Sequence, residues 1–311
     1  MNRSSLLNLH VLALAGLLVV AIGCGGSKSL STKGPHESFE LGKAAYDKGK
    51  YLKAIELLQA VVYNYPGDPV VDTAQYYLAL SYFGDKQYEL AEVEFNRLVI
   101  NYPSSVYFEH ALFMKAVASY QASPGHYGLD QTDVHESIKQ FEDFIIDNPE
   151  SELLPDVRRY LLTARTRLAR KYYEGGIVYR RMQAYEAAAI YFQKVTDDYT
   201  DTEYGPKATF QLADMDFQLR RFDAARKRFE DFQTVFPIHA WVPKARERAI
   251  EAAFRGAEAA FKKGDYAAAR EKLQAFQSDY PGNGRSKKAE KYLEEISRLS
   301  QPKSQSYEAD S

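Results

Sequence analysis

Residues 51–66 read YLKAIELLQAVVYNYP, and the spacing of residue types within this stretch decides the fold. An aromatic residue opens it, a small residue follows three positions later, and large apolar residues follow seven and ten positions later. These positions form one face of an α-helix, and the proline fifteen positions after Tyr51 cannot continue that helix. The stretch therefore predicts an amphipathic helix that begins at Tyr51 and ends before Pro66.

The same spacing recurs along the chain, at intervals of about 37 residues where nothing is inserted. The opening residue, called the anchor below, occurs at Tyr51, Tyr88, Val134, Tyr185, Phe222 and Tyr266. The small residue three positions later is Ala54, Ala91, Ser137, Ala188, Ala225 or Ala269. The large residue seven positions later is Leu58, Phe95, Phe141, Phe192, Phe229 or Leu273. A unit that recurs in this way indicates a helical repeat protein.

Each anchor is preceded by a further helical stretch, so each unit is predicted to be a helical hairpin. The pattern is similar to the tetratricopeptide repeat, with a Leu-Gly pair such as Leu41-Gly42 ahead of the turn. We therefore predict an all-α fold, a tetratricopeptide-like right-handed solenoid of about six helical hairpins. Hairpins stacked in this way leave a hollow face that is lined by the first helix of each pair.

Two departures from the repeat suggest how the chain is divided. The third hairpin carries a loop insertion at 121–133, and a long charged helical stretch follows it before the fourth anchor. We predict N-terminal repeats of three hairpins at 38–150, and a linking helix with three further hairpins at 151–300. The remaining segments are predicted to be a signal peptide at 1–23, a flexible tether at 24–37 and a disordered tail at 301–311.

The single cysteine of the chain, Cys24, follows an apolar run from Val11 to Ile22. The run is too short to span a bilayer and, with Arg3 ahead of it, is typical of a secretory signal peptide. The small residues directly before Cys24 resemble a bacterial lipoprotein signal. This resemblance implies that Cys24 carries a lipid such as palmitate, and Gly25 after it favours the outer membrane.

The order of these features resembles the BamD family, lipoproteins of the outer-membrane β-barrel assembly machinery. The features are the lipoprotein signal, the tether, repeats ending in Tyr-Pro, the inserted loop and the stretch 165–173. The resemblance covers roughly 38–237, and a sixth hairpin at 252–281 departs from the usual five. It implies a protein on the periplasmic face of the outer membrane. Its implied partners are unfolded outer-membrane β-barrel proteins on the N-terminal repeats, the periplasmic domains of a BamA-like insertase on the C-terminal repeats, and other assembly lipoproteins.

Two sets of residues are candidates for binding. Large apolar residues on the first helices suit a peptide with aromatic side chains. These predicted client-binding residues are Phe39, Tyr46, Tyr76, Leu80, Phe83 and Met114. The predicted partner-docking cations are Arg180, Arg181, Arg220, Arg221 and Arg226. Packing between hairpins is the alternative role for the first set, and a solvated face is the alternative for the second.

Composition and motifs argue against other classes. A net charge of −2 disfavours nucleic-acid binding, and no glycine-rich phosphate loop is present. We expect neither an enzyme nor a metal site, and no cofactor besides the lipid on Cys24. A scaffold for cell-envelope or peptidoglycan processes, resembling CpoB/YbgF, is one alternative, although the short tether replaces the coiled coil usual there. A hydrolase built on His126 or His135 is the weaker alternative.

Overall fold

The computed structural model describes residues 34–300, which form thirteen α-helices and no strand. The helices are α1 Pro35–Asp47, α2 Tyr51–Asn64, α3 Val71–Gly84, α4 Tyr88–Asn101, α5 Phe108–Ala122, α6 Thr132–Asp147, α7 Leu154–Arg181, α8 Tyr185–Asp198, α9 Tyr204–Gln218, α10 Phe222–Val235, α11 Val242–Lys262, α12 Tyr266–Asp279 and α13 Ser286–Leu299. The predicted all-α hairpin fold is confirmed, with a helix beginning at or within two residues of every anchor. The predicted signal peptide, Cys24 and the predicted tail lie outside the described residues.

The helices divide into two compact units on either side of Ala118, a residue of α5. Unit 1 contains the hairpins α1/α2 and α3/α4. Unit 2 contains α6, the hairpins α7/α8, α9/α10 and α11/α12, and the last helix α13. Within each unit a helix packs mainly on its neighbours in the chain, and the first helices α1 and α3, like α7 and α9, also touch. This nearest-neighbour packing is the organisation of a helical repeat array.

A small residue nine positions before the anchor lets the two helices of a hairpin approach closely. It is Gly42, Ala79, Gly176, Ala213 or Ala257. A Cβ added to Gly176 would lie 2.6 Å from the ring of Phe192, and one added to Gly42 would lie 2.7 Å from the side chain of Leu58. Phe192 and Leu58 are fully buried. The large residue seven positions after the anchor therefore fills the space that the small residue leaves.

The turn of five of the hairpins has one recurring backbone geometry. Two positions before the anchor the backbone enters the left-handed region, with φ between 59° and 81°, at Gly49, Lys86, Gln183, Arg220 and Gly264. The N–H of Arg220 donates to the carbonyl of Phe217 at 3.0 Å, and the N–H of Arg221 donates to that of Asp216 at 2.8 Å. This is a Schellman motif, which ends the first helix and sets the path into the second.

The structure shifts several predicted boundaries. α1 begins at Pro35, so the last residues of the predicted tether are helical. α5 runs to Ala122 and α6 begins at Thr132, which makes the insertion shorter than predicted. The boundary between the units lies at Ala118 and not after residue 150, because α6 packs against α7 and belongs with the second unit.

The last helix, α13, is an element that the repeat spacing did not predict. Its buried residues Ala289 and Ile296 pack in one cluster with Phe254 and Phe276 of the sixth hairpin. Most of its remaining side chains are polar and exposed. α13 therefore acts as a cap that covers the apolar face of the last hairpin.

Candidate functional site

An aromatic residue twelve positions before the anchor recurs in the first helices, as Phe39, Tyr76, Tyr173, Phe210 and Phe254. In three hairpins its ring packs on the phenylalanine at position seven. The centroid distances are 6.0 Å for Tyr76 to Phe95, 5.6 Å for Tyr173 to Phe192 and 5.2 Å for Phe210 to Phe229. This position belongs to the core of each hairpin.

A second aromatic position lies five residues before the anchor and is occupied by Tyr46, Phe83, Phe217 and Phe261. Each of these rings packs across the turn on the anchor of its own hairpin, at centroid distances from 5.2 to 5.9 Å. The fourth hairpin has Arg180 at this position. The aromatic pair closes the hairpin at its turn.

These two positions account for four of the six predicted client-binding residues. The prediction is wrong for Phe39, whose side chain is only 8% exposed and packs on Tyr77 inside the core. Tyr46, Tyr76 and Phe83 take the same packing positions but stay half-buried. Leu80 and Met114, the other two, are also half-buried and pack on the same core cluster. All six side chains therefore take part in packing, and the five half-buried ones also keep part of their surface exposed.

Four tyrosines of unit 1 form a continuous surface, which we call the tyrosine cluster: Tyr46, Tyr76, Tyr77 and Tyr107. The ring centroids of Tyr46 and Tyr77 lie 5.5 Å apart. Those of Tyr76 and Tyr107 lie 4.4 Å apart, and these two rings are stacked. Tyr76 and Tyr77 are 5.9 Å apart, edge to face. The ammonium of Lys43 lies 5.3 Å from the ring centroid of Tyr77. The cluster joins α1 and α3 to the residue before α5.

Burial shapes the chemistry of this cluster. It raises the pKa of Tyr76 to about 12 and also raises the pKa values of Tyr46 and Tyr107. The phenols of Tyr46, Tyr76 and Tyr107 therefore stay neutral at physiological pH and remain able to donate a hydrogen bond. A surface of half-buried rings with neutral hydroxyl edges suits apolar and aromatic side chains beside polar backbone groups.

Sequence reasoning missed Tyr77 and Tyr107. A signal for Tyr77 is present, because the residue eleven positions before the anchor is polar in the other uninterrupted hairpins: Glu40, Glu174, Gln211 and Arg255. An aromatic residue at an otherwise polar position points to a use outside the repeat. Tyr107 precedes α5 and carries no such signal, because its role depends on the stack with Tyr76.

The predicted docking cations of unit 2 occupy two hairpin turns. Arg181, Arg220 and Arg221 are exposed, at the ends of α7 and α9. Arg180 is half-buried and donates to Oε1 of Gln211 at 2.9 Å. Arg221 lies 3.7 Å from a carboxylate oxygen of Asp216.

Arg226 differs from the other predicted docking cations, because it lies in α10 and has partners within its own unit. Its guanidinium donates to Glu230 at 2.8 Å and to Asp279 at 2.9 Å, and lies 5.7 Å from the ring centroid of Tyr280. These contacts join α10 to the end of α12. Arg226 is therefore a structural cross-link, fully engaged inside the unit.

The inserted loop is stabilised by hydrogen bonds of its own residue Gln131 and by contacts from the cations of α7. The side-chain nitrogen Nε2 of the buried Gln131 donates to the carbonyls of Asp130, Pro124 and His126 at 2.8, 3.3 and 3.3 Å. Cations of α7 contact the same loop: Arg167 at Ser123, Arg170 over the ring of Tyr127 and Lys171 at Leu129. Part of the basic side of α7 therefore holds the loop in place. Across residues 34–300, no group of three His, Cys, Asp or Glu side chains is arranged to hold a metal ion.

Paired helices with this recurring spacing define a class, the helical repeat proteins of tetratricopeptide type. A tetratricopeptide-repeat family model matches residues 251–283. The model of the YfiO family, described as outer membrane lipoprotein, matches residues 32–215, which is more than half of the chain. The chain belongs to this family, also known as the BamD family.

Two relatives carry the same name, outer membrane protein assembly factor BamD. The protein of Rickettsia prowazekii (strain Madrid E) is 27% identical over 233 residues, which cover 73% of this chain and 92% of the relative. That of Vibrio cholerae serotype O1 is 23% identical over 207 residues, which cover 63% and 86%. A solved tetratricopeptide-repeat protein of Bacteroides fragilis aligns with 86% of this chain and all of its own, at 14% identity and a TM-score of 0.37. Among the helices of residues 34–300, none has both the length and the apolar character that crossing a membrane requires.

Proposed function

We propose that this chain is an assembly factor for outer-membrane β-barrel proteins, anchored on the periplasmic face through a lipid on Cys24. Family membership supports the assembly role, since both relatives described above are named outer membrane protein assembly factors. The proposed activity is binding without covalent chemistry. Unit 1 receives the unfolded client, and unit 2 docks on a BamA-like insertase.

The tyrosine cluster is the observation that carries the client-binding part. Strands of a membrane β-barrel alternate apolar and polar side chains and are rich in aromatic residues at their ends. Half-buried tyrosine rings offer edge and face contacts worth about 0.5–1.5 kcal/mol per aromatic pair. Their neutral hydroxyls can donate to the backbone carbonyls of an extended chain. Several such weak contacts hold a client that must later leave.

Site-specific photo-crosslinking tests this surface. A benzophenone-bearing aromatic residue replaces Tyr77, and the matched control carries it at Leu52, which is 67% exposed on the second helix of the first hairpin. A synthetic peptide with the last strand of a β-barrel protein should crosslink from position 77 and not from position 52. Equal yields from both positions would rule out the cluster as the client surface.

Charge reversal tests the docking part. The Arg181→Glu, Arg221→Glu double variant should lower the amount of insertase that co-purifies with the lipidated protein in detergent. The fold should tolerate it, because Arg181 is exposed and Asp216, the neighbour of Arg221, keeps a second partner in Arg228 at 2.8 Å. Lys227→Glu, at an exposed position of α10, is the control. Undiminished insertase recovery with the double variant would reject docking through these turns.

A further inference from the structure

A cavity of about 300 Å³ opens in unit 2 between the turn after α9 and the last turns of α11, in residues beyond the part matched by the YfiO family model. We call it the cation pocket. Its principal lining residues are Phe217, Arg220, Phe222, Arg255, Glu258 and Lys262. The rings of Phe217 and Phe222 meet edge to face at 5.3 Å and form its apolar wall.

Positive charge exceeds negative charge in this pocket. Glu258 is the one carboxylate that lines the pocket. It already forms ion pairs with Arg255 at 2.8 Å, with Lys262 at 3.6 Å and with Lys288 of α13 at 2.9 Å. Arg220 is exposed and has no ion-pair partner within residues 34–300. Glu251 lies 4.0 Å from Arg255 but is bound more closely by Arg248, at 2.8 Å, so it does not cancel the excess.

One cation of the pocket, Arg255, is also held in place before any ligand arrives. Glu258 is only 4% exposed, and its ion pair with Arg255 positions that guanidinium at the pocket wall. The backbone of Arg220 is fixed in the left-handed region by the Schellman motif of its turn. Side chains ordered in advance lose less conformational entropy when they bind.

We propose that the cation pocket binds an acidic peptide segment of a partner protein, with a large apolar or aromatic side chain beside its carboxylates. The carboxylates pair with Arg220, Arg255 and Lys262, and the apolar side chain packs on Phe217 and Phe222. The excess of positive charge selects the acidic segment, and the phenylalanine wall selects its apolar neighbour. This inference deepens the docking part of the proposed function and rests on it for the identity of the partner.

Direct titration of a synthetic peptide tests the pocket independently of any insertase. The probe is fluorescein-labelled Asp-Glu-Phe-Asp-Glu, added to the full chain in detergent and followed by fluorescence anisotropy. Binding should weaken with salt and disappear for the Asn-Gln-Phe-Asn-Gln peptide. Arg220→Glu with Lys262→Glu should weaken it about tenfold or more, since each reversal replaces an attraction by a repulsion of similar size.

The control is Lys263→Glu, a single charge reversal at the residue next to Lys262, outside the pocket lining. This control should lower the logarithm of the peptide affinity by less than half of the decrease that the double variant shows. If the double reversal lowers the thermal stability of the chain, Arg220→Gln with Lys262→Gln takes its place, with a smaller loss of the same sign.

Three results would overturn the proposal. The first is an equal loss of peptide affinity in the pocket variant and in Lys263→Glu, and the second is equal affinity for the acidic and the neutral peptide. The third is displacement of the peptide by phosphatidylglycerol vesicles that depends on Arg220 and Lys262. The last result would identify a lipid headgroup site. Peptide binding without insertase co-purification would leave the pocket standing and reject the docking part of the proposed function. Co-purification of the insertase without peptide binding would reject the cation pocket and leave the docking part of the proposed function standing.

Discussion

Replacing Glu258 by Gln should loosen the attachment of the capping helix α13 to the last hairpin. The carboxylate of Glu258 is buried in α11 and accepts hydrogen bonds from Lys288 and Tyr292 of α13, both at 2.9 Å. Arg255, one turn earlier in α11, donates to its other oxygen at 2.8 Å. One buried charge therefore holds two helices together.

The magnitude follows from the pKa of Glu258. Burial alone would raise this pKa, but the hydrogen bonds from Lys288, Arg255 and Tyr292 outweigh burial and hold it at about 2, against an ordinary value of 4.5. This difference corresponds to about 3 kcal/mol of folding free energy at neutral pH. Because the pKa is lowered, the contribution is complete above pH 4.5 and is lost as the pH falls through about 2. About 40% of it should remain at pH 3.

Urea unfolding of the wild type and of Glu258→Gln at several pH values measures this contribution. At pH 7 the variant should lose about 2–3 kcal/mol of unfolding free energy, and the gap should narrow as the pH falls toward 3. Hydrogen exchange should show the loss of protection in α13 and the end of α11. Glu294→Gln is the control, because Glu294 is exposed on α13, 3.8 Å from Arg298. It should cost less than about 0.5 kcal/mol.

Two outcomes would refute the reasoning. The first is an equal stability loss for Glu258→Gln and Glu294→Gln, which would mean that the buried carboxylate does not hold α13. The second is a gap between wild type and Glu258→Gln that widens as the pH falls from 7 to 3. That trend would require a raised pKa, the opposite of what the contacts of Glu258 produce.

Two further predictions concern the glycine and turn positions of the repeat. Gly176→Ala should lower the unfolding free energy by about 1–3 kcal/mol, because the added Cβ would lie 2.6 Å from the fully buried ring of Phe192. The control is Gly125→Ala, because no atom lies within 4 Å of a Cβ added there. Equal denaturation midpoints for the two variants would contradict the packing argument. Lys86→Gly should raise the denaturation midpoint by an amount equivalent to about 0.5–1 kcal/mol, since φ at Lys86 is 63°. Gly49→Ala, with φ of 69°, should shift it the other way, and a shared sign for these two variants would argue against left-handed strain.

The sequence alone determined the helical hairpins, because each depends on contacts between residues that are close along the chain. The spacing from Tyr51 to Pro66 places one helix face and its end within a single stretch. The small residue at Gly176 and the large one at Phe192 are sixteen positions apart, within one hairpin. Short-range periodicity of this kind is set by the pitch of the helix and needs no knowledge of the rest of the fold.

The tertiary structure alone decided which of the repeated residues remain available for binding. Phe39 and Tyr77 are both aromatic residues of first helices, yet one is buried in the core and the other belongs to the tyrosine cluster. Arg226 resembles the other turn arginines in sequence, but it pairs with Asp279, fifty-three residues further along. Whether a side chain is covered or exposed depends on how successive hairpins are placed against each other. That placement depends on contacts between distant residues, which a local pattern does not record.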